Sequence, residues 1–292
     1  MSYLGVNIYC CDSDQRRFLR ALLSWSRAAG PQGIDLCLFR PFDARGPHLF
    51  LLFRHDSPWL REFLAGRIEL FLAGCSPDTR SDGEMKRRHR SCFGKTLCAA
   101  DCEPGMAIRN SYVLFSHSLS EYPVDLGSGS AAGDVLSSVT AISHWSLNQL
   151  ETERRSVSAL CWLSGVHRAL ESGELPSHCY WQYHAERLLP LLRQRITTSD
   201  SISDWLRIAV GEHNRNLITP CWEYSRELPS APARVIDDIV TSSICAVQEK
   251  CRLLYEVNEL VLNQLFQSPD SQIAMILYAW EQSVCAMRER VS

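Results

Sequence analysis

The sequence predicts an α+β fold, in which a small N-terminal mixed sheet with flanking helices precedes a mainly helical body. Three observations support this prediction. Strand-like and helix-like periods alternate over residues 1–75, a polar and basic loop follows at 76–95, and residues 133–292 carry apolar side chains at helical intervals. We expect these parts to form one domain that spans residues 1–292.

The N-terminal part has the predicted order β-α-β-β-α. Period-two alternation at 3–9 and 34–38 predicts two strands, and a helix that Asp14 can cap lies between them. A third strand is expected over 48–54, where apolar residues face both ways. Ser57 and Pro58 then supply an N-cap and a first-turn proline for a second helix, which should pack with the first on one face of the sheet.

The rest of the chain is predicted to be helical, after a short strand candidate at 112–115 and a glycine-rich and serine-rich segment at 127–133. Proline and glycine separate stretches in which apolar residues recur every three or four positions. These stretches are 135–150, 156–171, 181–196, 202–213, 235–266 and 272–288.

Composition and charge exclude several classes of protein. The 30 Lys and Arg against 33 Asp and Glu give a net charge of -3, so no nucleic-acid partner is expected. No apolar run approaches the roughly 18 to 20 residues that span a bilayer, and residues 1–9 lack the features of a signal peptide. We expect a cytoplasmic protein without membrane contact. The GxGxxG, P-loop, HExxH and GxSxG motifs are absent, so no cofactor is predicted.

Thirteen scattered cysteines are typical of a reduced chain rather than of a disulfide framework. Cys92, Cys98 and Cys102, with Cys75 and His89 nearby, could surround a zinc ion. They lack the short C-x2-4-C spacing that presents two thiolates to one metal. Ordinary buried thiols are the better interpretation, and no metal site is predicted.

The basic loop contains five consecutive cationic or titratable residues. They predict an exposed segment with a local positive potential, which either is merely solvated or binds an anion or an acidic peptide. These residues are Lys86, Arg87, Arg88, His89 and Arg90.

Two histidine-centred stretches are candidates for chemistry. His48 and Arg54 are six residues apart on the third strand, which places both on one face, where they can hold a carboxylate or a peptide carbonyl. The alternative is a histidine at the strand edge and an arginine that reaches water.

The second stretch is an aromatic and titratable cluster at the start of a helix. Tyr180 and His184 are four residues apart, as are Tyr183 and Arg187, so each pair shares a helical face. A phenol beside an imidazole can move protons in either direction near neutral pH. Taken alone, His184 is more often a hydrogen-bonded structural residue than a catalyst.

These stretches resemble a known family. The segment from Tyr3 through the first helix to Gly46-Pro47-His48-Leu49 is similar to the C-terminal elimination domain of lantibiotic dehydratases, whose strand carries a His-Leu-x-x-Arg-like pattern. Tyr122-Pro123-Val124-Asp125 resembles that domain's Tyr-x-x-Glu segment. Tyr183-His184-Ala185-Glu186 lies where the domain has Ser-His-x-Glu. The order of these pieces matches over nearly the whole chain.

The departures from that family favour a different reaction. Where the elimination domain has Arg-Tyr-Gly-Gly, this chain has Leu126-Gly127-Ser128-Gly129, without the arginine expected to bind the glutamyl leaving group. The chain thus resembles the pyridine synthases of thiopeptide biosynthesis, which have the same fold and act on an already dehydrated peptide.

The resemblance implies an enzyme of RiPP biosynthesis, that is, one that modifies a ribosomally made precursor peptide. It would join two dehydroalanines by a formal aza-Diels-Alder cycloaddition, with loss of water and of the leader peptide. The alternatives are a glutamate-elimination lyase and a non-catalytic leader-binding protein. No cofactor is implied, and a homodimer remains open. The implied residues are Tyr183, His184 and Glu186 for catalysis, His48, Arg54, Tyr122, Asp125 and Tyr180 for substrate, and Lys86, Arg87, Arg88 and Arg90 for the leader.

Overall fold

The chain divides into two compact units, Met1–Glu153 and Arg154–Ser292. A computed structural model describes residues 3–28, 33–42, 47–75, 110–117, 132–151, 155–172, 175–195, 228–241, 246–265, 267 and 269–291. The predicted basic loop, residues 127–131 of the glycine-rich and serine-rich segment and the predicted helix at 202–213 lie outside the described residues. Each unit is described by itself below.

The N-terminal unit contains a four-stranded sheet in the order β2-β3-β1-β4, with every neighbouring pair antiparallel. The predicted mixed sheet is therefore wrong for the described pairings. A β-α-β sequence pattern suggests a parallel pair, but β3 folds back on β2 and separates it from β1. The elements are β1 (Tyr3–Tyr9), α1 (Asp12–Ala28), β2 (Leu36–Phe42), β3 (His48–Phe53), α2 (Pro58–Ala73), β4 (Ser111–His117) and α3 (Ala132–Glu151).

The centre of this sheet is covered on both faces. All six residues of β3 are buried, and β1 is buried at every position except Asn7. Because successive strand residues point to opposite faces, burial at consecutive positions requires packing on both sides. The near-continuous apolar run at 48–54 predicted this central position correctly.

Local signals set the starts of the first two helices. Ser57 Oγ accepts the backbone N–H of Leu60 at 3.2 Å, and Pro58 is the first helical residue, as predicted. The prediction that Asp14 caps α1 is wrong. The helix begins two residues earlier, and the Gln15 N–H donates to the Cys11 carbonyl at 2.9 Å. Asp14 is buried inside the first turn, where it pairs with Arg17.

The helix α3 belongs to the sheet unit rather than to the helical part of the chain. His144 Nε2 lies 2.8 Å from the Leu36 carbonyl of β2, and since a carbonyl only accepts, the imidazole donates. Arg20 of α1 reaches the Leu150 carbonyl at 3.5 Å. These two contacts hold α3 against both β2 and α1.

The C-terminal unit is helical throughout its described residues. It contains α4 (Arg155–Ser172), α5 (Ser177–Arg195), α6 (Ser230–Thr241), α7 (Val247–Gln264) and α8 (Pro269–Val291). The helix α8 packs against α5 and α4, and α7 packs against α5 and α6. No helix among the described residues has the length and apolarity needed to cross a membrane.

The predicted single helix at 235–266 is wrong. It is two helices, because α6 ends at Thr241 and Ala246 has an extended backbone with ψ 156° before α7 begins. The serines and β-branched residues at 241–244 are poor helix formers and could have signalled the break. The break lets α6 and α7 pack against each other as separate helices.

Candidate functional site

The helix α5 presents two different faces. Tyr180, Trp181 and His184 are at most 1% exposed, whereas Gln182 and Glu186 are exposed. Positions i and i+4 lie above one another on a helix, so the buried aromatic and imidazole rings share one stripe. That stripe packs against α7.

A chain of hydrogen bonds connects three helices behind this stripe. Trp162 Nε1 of α4 donates to Asn258 Oδ1 of α7 at 2.6 Å. Asn258 Nδ2 donates to the Tyr180 hydroxyl oxygen, and that hydroxyl lies 3.3 Å from His184 Nδ1. All four residues are buried, so each of these polar groups exchanges water for a protein partner. The predicted contact between Tyr180 and His184 is confirmed.

The Trp162 indole orients the next group in this chain of hydrogen bonds, because an indole N–H can only donate. An indole N–H has no acceptor atom, so it orients the Asn258 amide with its oxygen toward Trp162 and its NH₂ toward Tyr180. The phenol oxygen accepts that NH₂ and shares a second hydrogen bond with His184 Nδ1. We assign the phenol proton to this second bond, which makes His184 the neutral tautomer with its proton on Nε2.

Burial keeps His184 neutral. Burial, and to a smaller extent the positive charge of Arg187, together lower the pKa of His184 to about 3. An imidazole with such a pKa is a weak base at pH 7. Burial also raises the pKa of Tyr180 well above its ordinary value, so its phenol keeps the proton that it shares with His184.

Tyr183 lies on the neighbouring face and is only partly buried. The guanidinium carbon of Arg187 is 3.7 Å from the centroid of the Tyr183 ring, which confirms the predicted contact between these residues. The Tyr255 ring of α7 meets Tyr183 edge-on at 6.3 Å. Desolvation raises the pKa of Tyr183, and Arg187 opposes this rise. Tyr183 is thus a protonated phenol that is partly exposed to solvent.

Glu186 is not part of this cluster. Its exposed carboxylate accepts the Gln182 side-chain amide at 3.0 Å on the outer face of α5. The carboxylate that does approach the aromatic cluster is Glu259 of α7, which is 4% exposed and raises the pKa values of Tyr255 and Tyr180. Two residues along a helix turn the side chain by about 200°, so Glu186 does not share the buried face of His184, and its catalytic role stays a prediction.

Tyr180 is buried beneath the surface of its helix. Its side chain is 0% exposed, and its hydroxyl is hydrogen-bonded to Asn258 and His184. These bonds orient the His184 ring, and the predicted contact of Tyr180 with substrate stays a prediction.

His48 and Arg54 do not form one site. They lie at opposite ends of β3, about 20 Å apart at the usual strand rise. His48 is 2% exposed, and its ring centroid lies 4.6 Å from that of Tyr9, its cross-strand partner, with the two ring planes tilted by 34°. Arg54 follows the strand, and its Nε pairs with Asp35 Oδ2 at 3.0 Å. One carboxylate cannot bind both, although each stays a candidate by itself.

Several predicted residues lie outside the described residues. These are Tyr122 and Asp125 for substrate, Lys86, Arg87, Arg88 and Arg90 for the leader, and Cys92, Cys98, Cys102 and His89 of the weighed zinc cluster. Among the residues that the structure describes, no group of His, Cys, Asp and Glu side chains is arranged to hold a metal ion.

The sequence reasoning missed the contributions of α4 and α7. Asn258, Tyr255 and Cys251 follow one another at intervals of three and four, and so share the buried stripe of α7. A buried asparagine in an otherwise apolar stripe is the signal that could have revealed a polar network. Trp162 offered no such signal.

Two solved structures have a fold similar to that of this chain. The pyridine synthase TbtD from thiomuracin biosynthesis matches with a TM-score of 0.62 and 15% identity, over 97% of this chain and 98% of that one. The chain has the fold of this protein. The tRNA-dependent lantibiotic dehydratase MibB from Microbispora sp. 107891 matches with a TM-score of 0.53 and 13% identity, over 98% of this chain and 28% of the dehydratase.

The predicted fold class and fold resemblance are both confirmed by these two structures. Their low identities show the fold alone and leave the reaction open. A scan with protein-family models and a sequence search of curated proteins found no match.

Proposed function

We propose that this protein is a RiPP biosynthesis enzyme that forms the pyridine core of a thiopeptide from two dehydroalanines of a precursor peptide. The observation that supports this proposal is the fold likeness to a pyridine synthase over almost the whole of both chains. The likeness to the dehydratase, by contrast, covers 28% of that longer protein.

The proposed reaction balances without an oxidant or a reductant. An amide beside one dehydroalanine tautomerises to its iminol, which makes a 2-aza-diene. Two carbon–carbon bonds then join this diene to the alkene of the second dehydroalanine. The iminol hydroxyl leaves as water and the leader leaves as an amide, after which the ring is aromatic. The enzyme must orient two tethered alkenes and move protons.

Tyr183 is the proposed proton donor. Its partial exposure gives access to substrate, and its raised pKa keeps the phenol protonated at neutral pH. The hydroxyl donates to the amide oxygen as the iminol forms, and the resulting phenolate takes the amide N–H proton, which restores the phenol. The same phenol then donates to the departing hydroxyl of the hemiaminal, and its phenolate takes the ring proton that is lost with the water. The Arg187 guanidinium on its ring favours the phenolate that this donation produces.

His184 acts by position in this proposal. Its low pKa and its buried Nδ1, which is occupied by the Tyr180 hydroxyl, do not suit a general base. Its ring lies edge-on to the Tyr255 ring at 4.7 Å, and Tyr255 in turn meets Tyr183. The hydrogen-bonded network thus supports the Tyr255 ring, against which the Tyr183 ring packs.

The remaining predicted roles stay proposals. The acidic leader would bind Lys86, Arg87, Arg88 and Arg90 of the basic loop, because opposite charges steer association. His48 or Arg54, and Tyr122 and Asp125, would contact the dehydrated core.

Glutamate elimination is the second candidate, favoured by the likeness to the dehydratase. It needs a cation for the glutamyl carboxylate, and Arg187 and Arg54 are cations in the described part of the chain that could serve. Arg54 already pairs with Asp35, so Arg187 is the better placed of the two.

The deciding experiment is mass spectrometry of two precursors incubated with the purified protein. A dehydrated, azole-bearing precursor should lose its leader and gain a pyridine. A glutamylated precursor should stay unchanged. Loss of glutamate without ring formation would instead establish the lyase, and binding without either change would establish a leader-binding protein.

The role of Tyr183 is tested by Tyr183→Phe, which removes only the hydroxyl. We expect single-turnover ring formation to slow by roughly 10²- to 10⁴-fold, with leader binding unchanged. Tyr112→Phe is the matched control, since it removes a hydroxyl that bonds Glu69 on the N-terminal unit. Equal rates for both variants would remove Tyr183 from the mechanism.

A further inference from the structure

The side chain of Arg187 is held by two aromatic rings from different helices. Its guanidinium carbon lies 3.7 Å from the Tyr183 ring centroid and 5.4 Å from the Tyr255 ring centroid. Arginine often stacks its planar group on aromatic faces, and this stacking orients the group. Arg187 is nonetheless exposed, so its edge is open to solvent.

Arg187 and its neighbour Arg252 differ in whether a carboxylate pairs with their guanidinium group. Arg252 of α7 bonds Glu249 and Glu256, each at 2.6 Å. In the described part of the chain, no carboxylate lies within ion-pair distance of Arg187, and the adjacent Glu186 bonds Gln182 instead. The charge of Arg252 is thus already compensated, while the contacts of Arg187 with described residues are with aromatic faces.

Stacking and hydrogen bonding use different parts of a guanidinium. The faces of the group rest on the rings, whereas its five N–H donors point outward in the plane. A peptide carbonyl oxygen is an acceptor that suits those donors, and hydrogen bonds to a charged donor are stronger than neutral ones. Tyr183, four residues earlier on the same helix, carries its hydroxyl on the ring over which the guanidinium lies.

We infer that Arg187 binds the amide carbonyl oxygen of the dehydrated core peptide, at the amide that becomes the aza-diene. This inference rests on the proposed function and adds a substrate contact to it. Donation to that oxygen withdraws electrons from the amide, which makes its N–H proton easier to remove as the iminol forms, and it aligns the amide with the Tyr183 hydroxyl. The ligand class is a neutral dehydropeptide amide, not the acidic leader.

The test compares Arg187→Met and Arg187→Lys with the parent. Arg234→Met is the matched control, since Arg234 is an exposed arginine on α6 of the same unit. Two probes are used in calorimetric titrations, a leaderless core peptide with two dehydroalanines and the leader peptide alone. Ring formation from the full precursor is measured in parallel as kcat/KM.

We expect Arg187→Met to weaken binding of the core peptide by roughly 10- to 100-fold and to lower kcat/KM by a similar factor. Leader binding should stay at the parental value. Arg187→Lys keeps the charge but not the planar fork, so it should recover only part of the affinity. Arg234→Met should match the parent with both probes.

The outcomes separate the two proposals. If the parent forms pyridine but Arg187→Met and Arg187→Lys bind and turn over the core normally, the Arg187 inference is overturned and the function stands. If the parent binds the core through Arg187 and forms no pyridine, the function fails and the contact stands. Circular dichroism checks the fold, and should the methionine variant misfold, the lysine variant alone decides.

Discussion

The interiors of the two units differ in the kind of side chain that they bury. In the N-terminal unit, β3 buries six consecutive residues, five of them apolar. In the C-terminal unit, the contact among α4, α5 and α7 buries Trp162, Asn258, Tyr180 and His184 in one chain of hydrogen bonds. Apolar packing stabilises without a required direction, whereas each member of the polar chain must face its partner.

This difference teaches where orientation matters in the molecule. A buried polar chain stabilises less than the same volume of aliphatic side chains, because the polar groups lose water before they gain their partners. What the chain adds is a single ring orientation and tautomer for His184. The polar interior lies against Tyr183 and Arg187, the residues that we propose contact substrate.

The largest expected effect is on the apolar side of this comparison. Leu51 of β3 is 0% exposed and pairs with Val6 and Phe39 on its two neighbouring strands. Leu51→Ala should reduce the free energy of unfolding of the N-terminal unit by about 3 to 4 kcal/mol, from lost transfer energy and the cavity left behind. Hydrogen exchange at the amides of β1 and β3 measures this loss for the sheet itself.

Val113→Ala is the control for the sheet, since Val113 of β4 is 47% exposed. It should change stability by less than about 0.5 kcal/mol. Similar losses for Leu51→Ala and Val113→Ala would mean that the centre of the sheet is not the main source of stability.

The next effect tests the polar chain. Asn258→Leu leaves the Trp162 indole and the Tyr180 hydroxyl without their partner, which should cost the C-terminal unit about 2 to 3 kcal/mol. Nitrogen NMR of the parent should show His184 as the neutral tautomer with its proton on Nε2. In Asn258→Leu we expect that tautomer to lose its preference. Detection of the Nδ1–H tautomer in the parent would contradict the assigned direction of the chain.

The third effect is the acid sensitivity of the helical interior. The pKa of His184 is about 3 in the folded protein against 6.5 for the free side chain, so the unfolded chain binds this proton first. Stability is therefore fully present above pH 6.5 and falls as the pH drops toward 3. Between pH 7 and pH 5 the loss should be about 2 kcal/mol.

Denaturant unfolding of the C-terminal unit at the two pH values measures this loss. His184→Gln, which does not titrate, should show a smaller difference between pH 7 and pH 5 than the parent. His178→Gln on the exposed face of α5 serves as control and should retain the parental difference. An equal pH dependence in parent and His184→Gln would show that burial does not control this imidazole.

Whether an interaction could be predicted from the sequence depends on how many residues separate its two partners along the chain. The contacts of Tyr180 with His184 and of Tyr183 with Arg187 were predictable because helix geometry alone brings positions i and i+4 together. Asn258 could not be matched to Tyr180, since 78 residues separate them and only helix packing joins them.

The number of residues between interacting partners also explains the errors in the N-terminal unit. The burial of β3 was predictable from its own apolar run, but the antiparallel order depends on pairing between distant strands. Glu186 was grouped with His184 although two residues along a helix turn the side chain by about 200°, to the other side of the helix.

The smallest expected effect lies at the surface of the N-terminal unit, outside both interiors. Asp56 accepts Arg61 NH2 at 2.7 Å and Ser116 Oγ at 2.6 Å, and Arg61 lowers the pKa of the carboxyl below its usual 3.8. The group thus stabilises the fold above pH 4, and this contribution is lost as the pH falls through the lowered pKa. Arg61 is about one-third exposed, and screening by water limits such pairs. Asp56→Asn should therefore reduce the free energy of unfolding by about 1 kcal/mol at pH 7 and by almost nothing at pH 2. Hydrogen exchange or thermal unfolding measures this loss. Glu62→Gln, at an exposed position of α2, is the control. A loss at pH 7 as large as that of Leu51→Ala would mean that this surface ion pair contributes as much to the N-terminal unit as its apolar centre, and the contrast between directional and apolar burial would no longer hold there.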